Sequence, residues 1–490
     1  MVTQREKARR PLRRKRLLAA LLILAACVLY LLGGMTLPFL AHPSVSPAFQ
    51  AAYDREAFYA EGSPDRAALV TDNGDALDIR LRMISEARER IIFSSFDVRD
   101  CESGRDVFSA LLDAAGRGVE IQILVDGMNG LVSMSPKPIF WALGRLPNVE
   151  IRYYNTPNPL KPWGFNGRLH DKYIIIDDRL LLLGGRNTFD KFLGEYVPEA
   201  ERSHDLDVLV VNTAAGTQRG GDSVLFQVED YFRSVWEGDS VKPHLERTPL
   251  FGGGRADAAQ AALTRRWAAL CAKKPFLSGD APDYAALTVP LDGARLIHNP
   301  TNIMAKEPWV WWQIMSLLSG AEERARLQTP YAVMSREMYD GLAAVAGAQE
   351  DFWVLLNSVA VGDNFMASSD YTHNRQDVLD TGAAVYEYFG DYSSHGKSAL
   401  VDDDLSMVGS YNLDMRSTYL DTELMLVLHS EQFNGLLEDY LDGMEAQSLR
   451  VNPDGSYEAK PGVEAKALQP PRKYLYPITS ILFQPFRVLL

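Results

Sequence analysis

Near the N-terminus the uncharged run "LLAALLILAACVLYLLGGMTLPFL" extends from Leu17 to Leu40. As a helix it is long enough to span the ~30 Å hydrocarbon core of a bilayer. Beyond it the pattern shortens. "MISEARERIIFSSFDV" (83–98) and "VFSALLDAAGRGVEIQILVDG" (107–127) each read as a helix followed by a strand. "LLSGAEERARLQTPYAV" (317–333) and "MYDGLAAVAGAQEDFWVLLNS" (338–358) repeat that order. Two short apolar runs joined by aspartate-containing turns, "YIIID-DR-LLLLGG" and "SALVD-DD-LSMVGS", read as fully buried hairpins.

Alternating helices and strands predict two α/β sandwich halves, built by duplication and related by a pseudo-twofold axis. The expected division is a basic tail at 1–16, a transmembrane anchor at 17–40, a linker at 41–65 and a first half at 66–213. A connecting region containing the Gly-rich "FGGGRADAAQ" follows at 214–300, then a second half at 301–430 and a C-terminal extension at 431–490. A chain of 490 residues, 47% of them hydrophobic, exceeds the size at which a single core stops growing.

Charge changes the picture in two ways. The formal net charge is −14, although the first sixteen residues carry Arg5, Lys7, Arg9, Arg10, Arg13, Arg14, Lys15 and Arg16 against Glu6. The body is therefore strongly acidic and repels phosphate backbones at long range, which argues against nucleic acid as the partner and lowers a nuclease reading. The basic tail ahead of the apolar run predicts an N-terminus in the cytoplasm and the body across the membrane, held by a single span. A cleaved signal peptide and a lipoprotein modified at Cys27, suggested by "LAAC", are the alternatives. The length of the run and the apolar "VLYLL" that follows weigh against them. Cys27, Cys101 and Cys271 have no zinc-ligand spacing and read as free thiols, with a Cys101–Cys271 bridge as the one extracytoplasmic pairing.

Candidate chemistry lies in "LHDKYIIIDDRLLLLGGRN" (169–187), which recurs as "SHGKSALVDDDLSMVGSYN" (394–412). His170, Lys172, Asp177, Gly184 and Asn187 match His395, Lys397, Asp402, Gly409 and Asn412 at identical offsets. Residues two apart on a strand share a face, so each histidine stands with its lysine, whereas Asp177 and Asp402 have the opposite parity and suit a turn. The glycines permit a close backbone approach that returns Asn187 and Asn412 toward the same cavity. Two such sets around one site suit a phosphodiester. One imidazole attacks phosphorus, the other protonates the departing alkoxide, and ammonium and amide groups hold the non-bridging oxygens, with no metal or other cofactor required. His42, His204, His244, His298, His373 and His429 lack this setting and read as structural or surface residues.

At these residues the sequence resembles the phospholipase D superfamily, whose HxK(x)4D(x)6G(G/S)xN signature it matches twice. More narrowly, "AAGRGVEIQILVDG", "GGRN", "LLNSVAVGD" and "GSYNLDMRSTYLDTEL" resemble bacterial cardiolipin synthases of the C type, over roughly residues 68–430. The resemblance implies phosphatidyl transfer through a phosphohistidine, with His170 as nucleophile and His395 as acid and base. It marks His170, Lys172, Asp177, His395, Lys397 and Asp402 as catalytic and Asn187 and Asn412 as phosphate-binding. An acidic residue downstream of each motif then orients its histidine, the matching positions being Asp205 and Glu423. The implied partners are a membrane phospholipid such as phosphatidylglycerol and an alcohol acceptor: phosphatidylglycerol, another polyol or water. Water would make the chain a hydrolase. "NGRLHDK" departs from the family in keeping only Arg168 before the first histidine and in placing Asp171 where an amide is commoner.

Two apolar segments stand apart from the motifs. "EPWVWWQIMSLL" (307–318) reads as a core helix packing Trp309, Trp311 and Trp312, with an interfacial belt as the alternative. "YLYPITSILFQPFRVLL" is interrupted by Pro477 and Pro485, so it docks on the body or on a bilayer surface rather than spanning it.

Overall fold

Nine strands make up the first sheet: β1 (Asp65–Val70), β2 (Arg90–Ser95), β3 (Glu120–Asp126), β4 (Val149–Tyr154), β5 (Lys172–Ile176), β6 (Leu180–Gly184), β7 (Asp207–Asn212), β8 (Val241–Pro243) and β9 (Val289–Pro290). This computed structural model describes residues 4–243 and 252–490; His244 and the first residue of the Gly-rich stretch fall outside them. The second half contributes β10 (Gly293–His298), β11 (Ala325–Gln328), β12 (Ala332–Val333), β13 (Phe352–Asn357), β14 (Ala384–Tyr388), β15 (Ser398–Val401), β16 (Leu405–Gly409), β17 (Leu413–Asp414), β18 (Leu424–His429) and β19 (Ser448–Arg450).

The two sheets repeat one topology. The first runs β8-β4-β3-β2-β5-β6-β7-β1-β9 and the second β19-β14-β13-β11-β15-β16-β18-β10, while β12 and β17 pair separately. In each, the helix-linked strands are parallel and the motif hairpin is antiparallel, as crossover lengths require. The hairpin strands are buried on both faces, which explains their unbroken apolar runs. Helices Asn73–Glu86 and Glu102–Gly116 cover the outer face of the first sheet, with Gly253–Lys273 packed outside Glu102–Gly116, and Trp309–Ser319, Arg336–Ala348 and Phe365–Leu379 cover that of the second. Between the sheets Tyr173, Ile175 and Leu183 meet Leu400, Val408 and Leu426, flanked by helices Val224–Trp236 and Glu431–Glu445. The result is the expected pair of α/β halves, stacked sheet against sheet.

The halves extend beyond the expected limits. Residues 214–300 are not a mere connector: Val224–Trp236 and β8 complete the first half as Glu431–Glu445 and β19 complete the second, and β10 already belongs to the second sheet. Sequence repetition misses these elements because they repeat in packing position rather than in residue identity.

By length and composition the helical stretch Lys15–Phe39 is apolar enough to cross a membrane, and its most apolar window has no residue buried inside the body. Its end is tied down, with Tyr30 Oη donating to the Leu160 carbonyl (2.8 Å) and Asn166 Nδ2 to that of Met35 (2.5 Å). Trp311 is buried in the outer core of the second half, and Trp309 stacks on Phe49 with centroids 4.6 Å apart. All three cysteines are free, including Cys101 and Cys271.

Candidate active site

The site forms where β5 and β15 begin, at facing ends of the two sheets. Backbone contacts stitch the halves together there. Thr422 N–H donates to the Arg168 carbonyl (2.9 Å) and His170 N–H to Thr422 Oγ1 (3.0 Å). In the other half His204 N–H donates to Ser393 O (2.9 Å) and His395 N–H to His204 O (2.6 Å). His170, Lys172, His395 and Lys397 are all buried. Each lysine shares its strand face with the outer-core residues of its own half, Ile174 and Ile176 or Ala399 and Val401. Each also turns its ammonium onto the carbonyl of the histidine two residues before it.

The carboxylates cross over. His170 Nδ1 lies 2.8 Å from Glu423 Oε1, and His395 Nδ1 lies 2.7 Å from Asp205 Oδ2. Sequence order pairs each acid with its own motif, but in each sheet the second strand of the hairpin, β6 or β16, separates the acid from its own histidine, so the acid reaches across the interface. Lys397 Nζ also approaches His395 Nδ1, at 2.7 Å.

Asp177 and Asp402 do not belong to this group, which corrects their assignment as catalytic. They sit at the opposite ends of β5 and β15 in left-handed turns, with φ of 52° and 51°. Asp177 accepts from the backbone N–H groups of Arg88 (3.1 Å), Glu89 (2.9 Å) and Arg90 (2.9 Å). Asp402 likewise accepts from Glu322, Glu323 and Arg324. Both aspartates therefore anchor the hairpin turn to the strand beside it.

Glycine and serine after β6 and β16 serve the acids. A Cβ at Gly185 would come within 2.2 Å of Asp205 Oδ1. At the matching position Ser410 Oγ donates to Glu423 Oε2, and Ser417 Oγ donates to Oε1 (2.6 Å). Asn412 Nδ2 donates in turn to Ser417 Oγ (3.3 Å). Asn187 and Asn412 are both buried, and the Oδ1 atom of each has no hydrogen-bond partner among the described residues.

Burial dominates the electrostatics. It holds the His170 imidazole well below its ordinary value, helped by the charges of Lys172, Lys397, His395 and Arg416, so the two motif sets act on one another. His395 is lowered too, by burial and by Lys397, against the opposing pull of Asp205. Burial brings Lys172 down to about 7 and Lys397 to about 8. The acids diverge. Burial pushes Glu423 well up, with Lys172 opposing; at Asp205 burial also acts upward, but His395 and Lys397 outweigh it and hold the carboxyl low.

Sequence inspection missed Lys306 and gave no role to two nearer neighbours, Asp171 and Arg168. Lys306 is buried with Nζ on the Leu420 carbonyl, and burial lowers it to about 8. It lies outside both motif copies, so periodicity carried no signal for it. Asp171 is pushed up to about 6 by burial and accepts from Thr422 Oγ1 (2.6 Å) and Tyr231 Oη (3.0 Å). Arg168 is engaged by Asp126 at 2.6 and 2.8 Å.

Two stacked α/β halves, each giving a His-x-Lys pair and a carboxylate to a shared centre, define an enzyme of the phospholipase D superfamily. The family model described as "Cardiolipin synthase, PLD-like domain" matches residues 81–236 and 314–444, more than half of the sequence. The chain belongs to that family, and at the family level it is a phospholipid phosphatidyltransferase. It is 26% identical to cardiolipin synthase C of Escherichia coli K12, over 74% of this chain and 81% of that protein. It is 25% identical to cardiolipin synthase B of Salmonella typhi, over 76% of this chain and 79% of that one. In fold it is similar to the crystal structure of phosphatidylserine synthase from Haemophilus influenzae, with a TM-score of 0.61 at 13% identity, covering 91% of this chain and all of that one.

Proposed function

We propose that the chain moves a phosphatidyl group from phosphatidylglycerol to an alcohol through a covalent phosphohistidine, making cardiolipin or a related lipid. The crossed His–carboxylate pairs carry this reading. With Nδ1 of each ring held by the opposite half, Nε2 is the nitrogen available to phosphorus or to a proton. Nε2 of His170 attacks phosphorus while His395 gives its proton to the departing glycerol oxygen. The acceptor hydroxyl then loses its proton to His395, attacks the same phosphorus and frees His170. General acid catalysis of this kind contributes roughly 10² to 10⁴-fold. The division of labour follows the fields: burial and the surrounding cations keep His170 neutral, as a nucleophile must be, whereas at His395 the Asp205 carboxylate opposes the lowering by burial and Lys397 and favours holding a proton.

Lys172, Lys397, Asn187 and Asn412 are assigned to the non-bridging oxygens. The names of the relatives support cardiolipin as the product, and phosphatidylglycerol is assigned as the donor with a lipid alcohol as the acceptor. Lys15–Phe39 serves as the single anchor, with the basic tail in the cytoplasm and the body on the opposite side.

Purified protein reconstituted with labelled phosphatidylglycerol tests the reading. Cardiolipin and glycerol are expected as products, lost in both His170→Ala and His395→Ala. Phosphatidic acid as the sole product would replace transfer with hydrolysis, and full turnover by either variant would overturn the assigned roles.

A further inference from the structure

The helix Arg472–Leu482 packs the wrong way round for water. Its buried face is the polar one: Thr479 Oγ1 meets Ser369 Oγ at 2.6 Å on helix Phe365–Leu379, Ser480 is buried beside it, and Tyr476 packs against Phe365 with centroids 5.1 Å apart. The opposite face carries Tyr474, Leu475, Ile478, Ile481 and Leu482 in one helical stripe, and Ile478, Ile481 and Leu482 are 64%, 65% and 62% exposed. A helix solvated on that side has no reason to turn these residues outward; an apolar surrounding does. With eleven residues and Pro477 inside it, the helix is too short to cross a bilayer. Lys473 at its start is exposed, as suits an anionic surface.

The end of this segment adjoins the exit of the apolar N-terminal helix. Arg416 N–H donates to the Leu490 carbonyl (3.0 Å) and its Nη1 to that of Leu489 (3.1 Å). Arg416 Nη2 donates to Asn166 O (2.9 Å), and Asn166 Nδ2 donates to Met35 O. Exposed Leu37, Leu40 and Leu160 extend the apolar surface at that exit.

We propose that the stripe Tyr474–Leu482 lies in the interfacial layer of the same bilayer that Lys15–Phe39 enters, so that the body is held to the lipid at two points flanking Arg416. This rests on the reading of Lys15–Phe39 as an anchor. Arg416 holds Asn166, four residues before His170, and pairs with Asp421, which accepts from the Arg168 N–H, so the double attachment brings the His170 side of the site toward its lipid substrate.

The test uses the full chain in vesicles, with Cys27, Cys101 and Cys271 replaced by serine and a single fluorophore-labelled cysteine at Ile478, Leu29 or Glu431. Glu431 lies beyond the far end of β18 from the site. Lipids carrying a quencher high on the acyl chain should reduce emission at Ile478 about twofold and leave Glu431 unchanged, whereas a deep quencher should act most on Leu29. Quenching at Leu29 with none at Ile478 would overturn the proposal and leave the anchor standing. Quenching at neither would overturn both. Unquenched Ile478 cysteines that cross-link between two chains on oxidation would make the stripe a chain–chain interface and overturn the membrane contact.

Discussion

Glu423, just ahead of β18 in the second half, holds Nδ1 of His170 in the first, with 2.8 Å between the atoms. Asp205 does the same for His395 in the reverse direction. Neither half therefore supplies both the ring and the acid of a pair, and on the proposed mechanism correct docking of the sheets is a condition for chemistry. Glu423→Gln keeps the size and most of the hydrogen-bonding capacity but can favour the wrong imidazole tautomer. Turnover is expected to fall by up to about 10⁴-fold, the scale seen when a carboxylate that orients a catalytic histidine becomes an amide. Steady-state assays on protein of unchanged thermal midpoint check this. A loss of less than threefold would remove the orienting role.

Asp177 gives the opposite prediction. Its carboxylate serves three backbone N–H groups at the entry to β2, far along the strand from His170. Asp177→Ala is expected to destabilise the fold by about 1–3 kcal/mol, the range for leaving such donors unpaired. Turnover per folded molecule should change little. Chemical denaturation followed beside the initial rate separates the two effects, and a large rate loss at unchanged stability would restore the aspartate to the catalytic group.

The lysines set an alkaline limit. Burial takes Lys172 from an ordinary 10.5 to about 7 and Lys397 to about 8. An ammonium that loses its proton in that window no longer holds a phosphoryl oxygen, so kcat/KM is expected to fall as pH rises through about 7 to 8. Stability moves the other way. Between the folded value and 10.5 the unfolded chain binds more protons at these lysines, so their contribution to stability rises with pH. Loss of activity there is thus not loss of fold. Lys172→Arg, which stays charged, should shift the limb of the pH–rate profile upward; an unmoved limb would assign it to another group.

Much of the site was legible because it is duplicated. One His-x-Lys is weak, but two copies with matched glycines and asparagines point to two equivalent strand ends, and β5 and β15 occupy equivalent places in the two sheets. Strand parity also turned Asp177 away from the lysines. The crossing of Asp205 and Glu423 was not legible, since it depends on how the sheets stack. Lys306 was hidden because it has no counterpart in the first half, and Val224–Trp236 because its equivalence to Glu431–Glu445 lies in position alone.

The pseudo-twofold makes the two histidines look interchangeable, and the fields around them break the tie. Burial lifts the Glu423 carboxyl, which leaves His170 beside a weak counter-charge and favours the neutral nucleophile. The Asp205 carboxyl is held low, and its charge opposes the burial and the Lys397 ammonium that lower His395. A phosphatidyl ester of p-nitrophenol separates the roles, because its leaving group departs without a proton. His395→Ala should then release about one equivalent of p-nitrophenol per site in a burst and stall, since no base activates the acceptor for the second step. His170→Ala should give no burst, having no group to carry phosphorus. The burst variant should retain acid-labile phosphatidyl label on the chain, and a burst from His170→Ala with none from His395→Ala would exchange the two assignments.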